Sequence, residues 1–216
     1  QIFELLEKEG VSTVEKLEDM AANHDYAFSF LQDIPLGDPT RLEGYLFPDT
    51  YKFYMGEDPK YVINKMLVNF DSKVDDAVRQ KISETGYSIR DILTIASMIE
   101  KETDGTDRTT IASVIYNRLN NPGASTAGYL QIDATIQYVL PEGKIVQESD
   151  YQGVDSPYNT YKNKGLPPGP IANPGMESIT AALNPQSTNY YYYALGDDHL
   201  HHFFSSYAEH QAFLNS

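Results

Sequence analysis

The sequence has no cysteine and no tryptophan. Without cysteine there are no disulfides, no thiolate nucleophile and no sulfur-ligated metal. No apolar run approaches the roughly 20 residues of a membrane-spanning helix. Positive charge is scarce, with 16 Lys and Arg against 31 Asp and Glu and a net charge of −15. Such a surface repels a nucleic-acid backbone, so nucleic acid is not an expected partner. No internal repeat, phosphate-cradling glycine loop, dinucleotide fingerprint or Ser/His/Asp triad occurs.

What is present suits a globular domain. The chain has 216 residues, 41% of them hydrophobic, with 17 Tyr and 9 Phe. Tyr-rich surfaces suit carbohydrate, whose C–H faces pack on the ring while hydroxyls meet the phenol; the core also uses such residues. The opening stretch, QIFELLEKEG, reads as the tail of an amphipathic element and predicts a signal or anchor upstream.

Residues 1–33 read as helical, with Ser12 and Glu15 as a capping box. Residues 34–40 form a loop and a subdomain boundary. Residues 42–54 suggest two short strands or one bent strand. Asp58-Pro59 starts a helix through Val62, Met66 and Phe70; a second follows, ending near Gly86. Helices are expected at 89–103 and about 108–120, and a short one after Asp133 as N-cap. Residues 141–173 form a long Gly/Pro/Asn/Tyr segment, another helix follows Asn173-Pro174, and a β-hairpin spans NYYYYAL and HHFFSS. Ser206 and Glu209 cap a last helix. The expected fold class is α+β, a helix-rich domain with small antiparallel sheet or hairpin elements.

Projecting residues 89–103 at about 100° per residue gathers Ile89, Ile92, Leu93, Ile95, Ala96 and Ile99 into one apolar stripe. Glu100 falls inside it, Met98 and Lys101 lie on the far side, and Glu102 falls near the other edge. A carboxyl group on a buried face holds its proton more tightly, as a general acid must near neutral pH. The position at a helix end equally suits a side chain that turns to solvent or pairs with a cation such as Arg118.

Six segments in order carry a resemblance: LEGYLFPDTY (42–51), IASMIEKET (95–103), IASVIYNRL (111–119), LQIDATIQY (130–138), SPYNTYKNKGLPPGPIANPG (156–175) and ALNP (182–185). Together they strongly resemble the YceG-like family of endolytic murein transglycosylases, over roughly residues 41–216. The resemblance implies a catalytic domain at 41–216. Residues 1–40 would be a helical remnant of an accessory region, LysM-like or linker. It implies a lyase that cuts nascent peptidoglycan strands internally and leaves 1,6-anhydro-N-acetylmuramic acid ends. It assigns the catalytic acid to the first Glu of IEKE, Glu100.

The resemblance further marks Gln131 and Asp133, and Tyr158, Asn159, Thr160 and Tyr161, as candidates for binding sugar and acetamido groups. Asp133 is equally readable as a plain N-cap, and the Tyr158–Tyr161 stretch as a rigid turn. Glu43 is the best remaining carboxylate if a second one takes part. The family has Pro where Ala134 stands here. No cofactor is implied; a Schiff-base lysine fails because Lys101 leaves the stripe and Lys162 and Lys164 lie in a polar loop. No metal is expected at His199, His201 and His202, because alternate hairpin residues face opposite ways.

The implied partners are glycan strands and the penicillin-binding proteins of wall synthesis. The implied location is the extracytoplasmic face of the membrane, through an N-terminal anchor. Two other functions fit the residues: a hydrolase pairing Glu100 with Glu43 or Asp133, and a non-catalytic wall-binding module.

Overall fold

A computed structural model describes residues 1–216. It is α+β, with ten α-helices and one two-stranded antiparallel sheet. The chain forms two compact units, Gln1–Ile89 and Arg90–Ser216.

In the first unit the predicted long helix is two helices, α1 (Ile2–Lys8) and α2 (Val14–Asn23), followed by a single 3-10 turn at Ser29–Leu31. Gly10, at φ +71°, breaks the first run in a conformation that β-carbons disfavour. The cap of α2 is Thr13, whose hydroxyl accepts from the Lys16 N–H, so the Ser12–Glu15 box does not form. Residues 42–54 make no strand. Gly44, at φ +90°, bends the stretch, and the Tyr45 N–H is satisfied by Leu42 O within a turn. Pro48 offers no N–H for a ladder. Leu42, Tyr45, Leu46 and Phe47 are buried instead as core side chains.

Helix α3 (Pro59–Lys73) starts as expected, with the Asp58 carboxylate accepting from the Lys60 N–H and Pro59 at the first turn. It buries Val62, Ile63, Met66, Leu67 and Phe70. Helix α4 (Asp76–Thr85) is capped by Asp75 and ends on Gly86 at φ +78°.

The second unit is built around α5 (Ile89–Glu102). Every residue from Ile92 to Ile99 is buried, including Met98, which the helical projection set on the open side. A helix enclosed on all sides has no single buried face. Each fully buried Ile or Leu there contributes about 1.5–3 kcal/mol of transfer free energy. Helix α6 (Arg108–Asn120) buries Ile111, Ala112, Val114 and Ile115 and packs with α9 (Met176–Leu183).

Between α6 and α9 run two short helices, α7 (Asp133–Gln137) and α8 (Glu148–Gly153), and irregular chain. Strands β1 (Tyr192–Leu195) and β2 (His201–Phe204) pair with Tyr192 opposite Phe204 and Leu195 opposite His201. Helix α10 (Tyr207–Leu214) covers the hairpin and carries the expected Ser206–Glu209 capping box.

Candidate active site: two carboxyl groups on one helix turn

The last turn of α5 carries Glu100 and Glu102. Two residues on a helix are about 200° apart, so the two carboxyl groups leave the helix on opposite sides.

On one side, Ser97 and Glu100 receive the loop before α9. The buried Ser97 hydroxyl accepts from the Ile171 N–H at 3.0 Å. Upstream, the Arg90 guanidinium lies against Gly169, where an added β-carbon would push it aside. The loop therefore delivers Gly175 and Ser178 to Glu100, whose Oε2 accepts from the Gly175 N–H at 3.2 Å and the Ser178 hydroxyl at 2.6 Å. Helix α9 has no cap from its own N-cap residue, Gly175. Glu100 supplies an acceptor there from another helix, where the first N–H groups lack partners.

On the other side, Glu102 meets the hairpin and the start of α7. Its Oε2 accepts from the Tyr193 hydroxyl at 2.6 Å, and the Ala134 N–H also donates to it. Burial pushes this carboxyl group up; the Tyr193 bond, His201 and the Ala134 N–H oppose that, while the nearby Asp133 charge adds to it. The phenol of Tyr193 is pushed well above the ordinary tyrosine range by burial and by the Glu102 charge. Glu100 thus neither turns free into solvent nor pairs with Arg118. Arg118 is buried and spends its guanidinium on the Tyr191 and Leu130 carbonyls.

Asp133 is the first residue of α7, not its N-cap, which is Ile132. Its carboxylate is free for other work and accepts from the Tyr161 hydroxyl at 2.5 Å and the Tyr151 hydroxyl at 3.2 Å. The two rings stack face to face, 4.1 Å apart with a 4° interplanar angle. Burial and the Asp133 charge raise the Tyr161 phenol far above its usual range.

Backbone pairing explains the gathering. The 158–165 stretch runs beside 128–132, through a Tyr129–Lys164 bridge and the bond from Gln131 N to Thr160 O. That pairing lays Tyr161 next to Asp133. Gln131 is exposed at φ +50°, a strained backbone for a non-glycine residue.

Asn159 and Thr160 point inward. The fully buried Asn159 amide donates to the Tyr151 and Val154 carbonyls and accepts from the Tyr161 N–H. The buried Thr160 hydroxyl accepts from the Ile132 N–H and bonds to Thr135. Their polar atoms are engaged by the scaffold. Tyr158 is half-buried against the Tyr138 ring, 5.0 Å between centroids.

Glu43 lies in the first unit, half-buried, with its carboxyl group pushed up by burial. Of the histidines, His201 bonds to Asp107 at 2.7 Å and His202 to Asp198 at 3.0 Å. Sequence reasoning missed Glu102, Tyr151, Tyr193 and His201. The signal for Glu102 was its place at the other edge of the α5 stripe; Tyr193 and His201 gave none beyond strand alternation.

The class defined here is a helix-rich α+β domain holding a desolvated carboxyl group bonded to a buried phenol, beside a carboxylate that binds two more. A crystal structure of a YceG-like protein from Listeria monocytogenes has this fold, with a TM-score of 0.80 at 31% identity over 96% of this chain and 70% of that one. The profile of the YceG-like family matches residues 1–216, and the chain belongs to that family. It is 43% identical over 154 residues to the endolytic murein transglycosylase of Bacillus subtilis, covering 70% of this chain and 41% of that protein. The protein of the same description from Streptococcus pneumoniae is 34% identical over 178 residues, covering 77% and 31%. The chain thus spans less than half the length of these relatives.

Proposed function

We propose that this chain carries the catalytic region of an endolytic peptidoglycan lytic transglycosylase, and that its general acid is Glu102 rather than Glu100. One observation carries the choice between the two α5 carboxyl groups: burial raises Glu102, with Asp133, bound by Tyr161, on its side of the helix. Glu100 is engaged in holding the start of α9. The names of the relatives support the substrate class.

In this reading protonated Glu102 donates to the glycosidic oxygen between N-acetylmuramic acid and N-acetylglucosamine as positive charge develops at C1. The muramoyl 6-hydroxyl then attacks C1 within the same sugar, and ionised Glu102 takes its proton. The bond from C1 to the bridging oxygen breaks, the bond from C1 to O6 forms, and no water is consumed. Gln131, Tyr151 and Tyr161 are the side chains offered to sugar, with Asp133 orienting the two phenols. Residues 41–216 are assigned to catalysis and 1–40 to an accessory region. Peptidoglycan strands are the substrate, and penicillin-binding proteins are proposed partners at the outer face of a membrane to which the longer protein is anchored.

Mass spectrometry of digested glycan strands tests the reaction. Anhydro ends that vanish in Glu102→Gln are expected. Reducing ends would instead support a hydrolase, and unchanged binding without cleavage in the parent protein a wall-binding module.

A further inference from the structure

Three groups beside Glu102 have no part in the chemistry just described, and they form a line. Asp107 accepts from the Thr103 hydroxyl at 2.7 Å and bonds to Nδ1 of His201 at 2.7 Å. The side chains of His201 and Asp107 are only 12% and 23% exposed. The His201 ring meets the Tyr193 ring edge-on, 5.6 Å between centroids at 88°. Tyr193 then donates to Oε2 of Glu102. Hairpin register produces the middle contact. Tyr193 pairs with Phe203, and His201, two residues from Phe203, occupies the diagonal position on the same face.

We propose that Tyr193 is a positioning residue for Glu102: its hydroxyl holds one carboxyl oxygen as an acceptor, the transferable proton is carried on the other, and the Asp107–His201 pair steadies the ring. The inference rests on Glu102 being the acid. A carboxylic acid can present its proton from either oxygen, and a donor fixed on one removes that freedom. The bond is short and, with Glu102 ionised, charge-assisted, so it also stabilises the carboxylate left after proton transfer.

The groups around Glu102 give the sign of the test. The hairpin contributes Tyr193 and His201, α7 contributes Asp133 and the Ala134 N–H, and the Arg118 guanidinium of α6 interacts with it. Asp133 favours the protonated acid; Tyr193, His201, Arg118 and the Ala134 N–H favour the carboxylate. Deleting the Tyr193 hydroxyl removes one of the latter, so the acid keeps its proton to higher pH.

The experiment follows anhydro-end release from glycan strands against pH. It compares the full chain, Tyr193→Phe, and a chain carrying 3-fluorotyrosine at 193. Tyr193→Phe should lower kcat about tenfold at nearly constant KM, the size of one lost bond to a charged group. It should also displace the alkaline limb to higher pH. The fluorinated phenol is a stronger donor of nearly the same shape, so its limb should move to lower pH with the fold intact. A limb that stays put in both proteins overturns the proposal whatever happens to kcat. Glu102→Gln run in parallel separates the two levels. If it still cleaves, the assignment of the acid fails; if it is inactive while the limb is unmoved, only the role of Tyr193 fails.

Discussion

The two sides of the last turn of α5 hold the same functional group in different company. Glu100 faces donors at a helix start and acts as a fastening for α9. Glu102 faces a phenol, an imidazole and a second carboxylate, and burial works on its proton. An identical side chain two positions along the same helix becomes a strut on one side and a candidate acid on the other. Both accept two hydrogen bonds; what differs is that burial raises Glu102 against its donors.

The comparison breaks most visibly in activity. Glu102→Gln should cut glycan cleavage by about 10³-fold, within the range for loss of a general acid. Glu100→Gln, which keeps a carbonyl acceptor for Gly175 and Ser178, should retain most of it. Equal losses, or the reverse order, measured as anhydro-end release would return the acid to Glu100.

A smaller effect concerns the scaffold under the Glu102 side. Asn159→Ala should cost about 2–3 kcal/mol in denaturant unfolding, because it removes two bonds to part-buried carbonyls and the acceptor of the Tyr161 N–H. Cleavage should fall with it, since Tyr161 leaves Asp133. On the Glu100 side, Ser178→Ala should cost about 1 kcal/mol and leave the pH profile of cleavage unchanged. A moved profile there would draw Glu100 into the chemistry.

The smallest effect is a slope. Glu102 is raised in the folded state, so the native chain binds the extra proton between the unfolded and folded titrations. Stability from this group is complete below the unfolded carboxyl range and is lost as pH rises through the raised value. Glu102→Gln should therefore flatten the fall in unfolding free energy above that range and gain relative stability at alkaline pH. An unchanged slope would mean that the carboxyl group is not desolvated.

Most of the helices were legible in the sequence because their ends are written locally. Asp58-Pro59, Asp75 with Gly86, Asn121-Pro122-Gly123 and Ser206 with Glu209 each carry a cap or a breaker. The errors share a cause. At residues 42–54 aromatic content suggested strands, yet a strand needs a partner, and partners are a tertiary fact. At Asp133 an N-cap residue type stood one position inside the helix, released to bind two phenols.

The helical projection of α5 located Glu100 by assuming one buried face. The burial of Met98 and Ser97 shows enclosure all round, which no single-helix pattern reveals. The contact that sets Glu102 apart comes from Tyr193, 91 positions downstream, and no helical pattern contains it.

The saturated amide of Asn159 has a consequence for chemical ageing. Both of its hydrogens are given to main-chain carbonyls, so conversion to aspartate would set a new anion against two electron-rich oxygens at the foot of the Tyr151–Tyr161 stack. The same bonds hold the side chain away from the bending that cyclisation onto the next peptide nitrogen demands. Fresh and heat-stressed protein should accordingly differ in deamidation at exposed Asn sites well before this one changes.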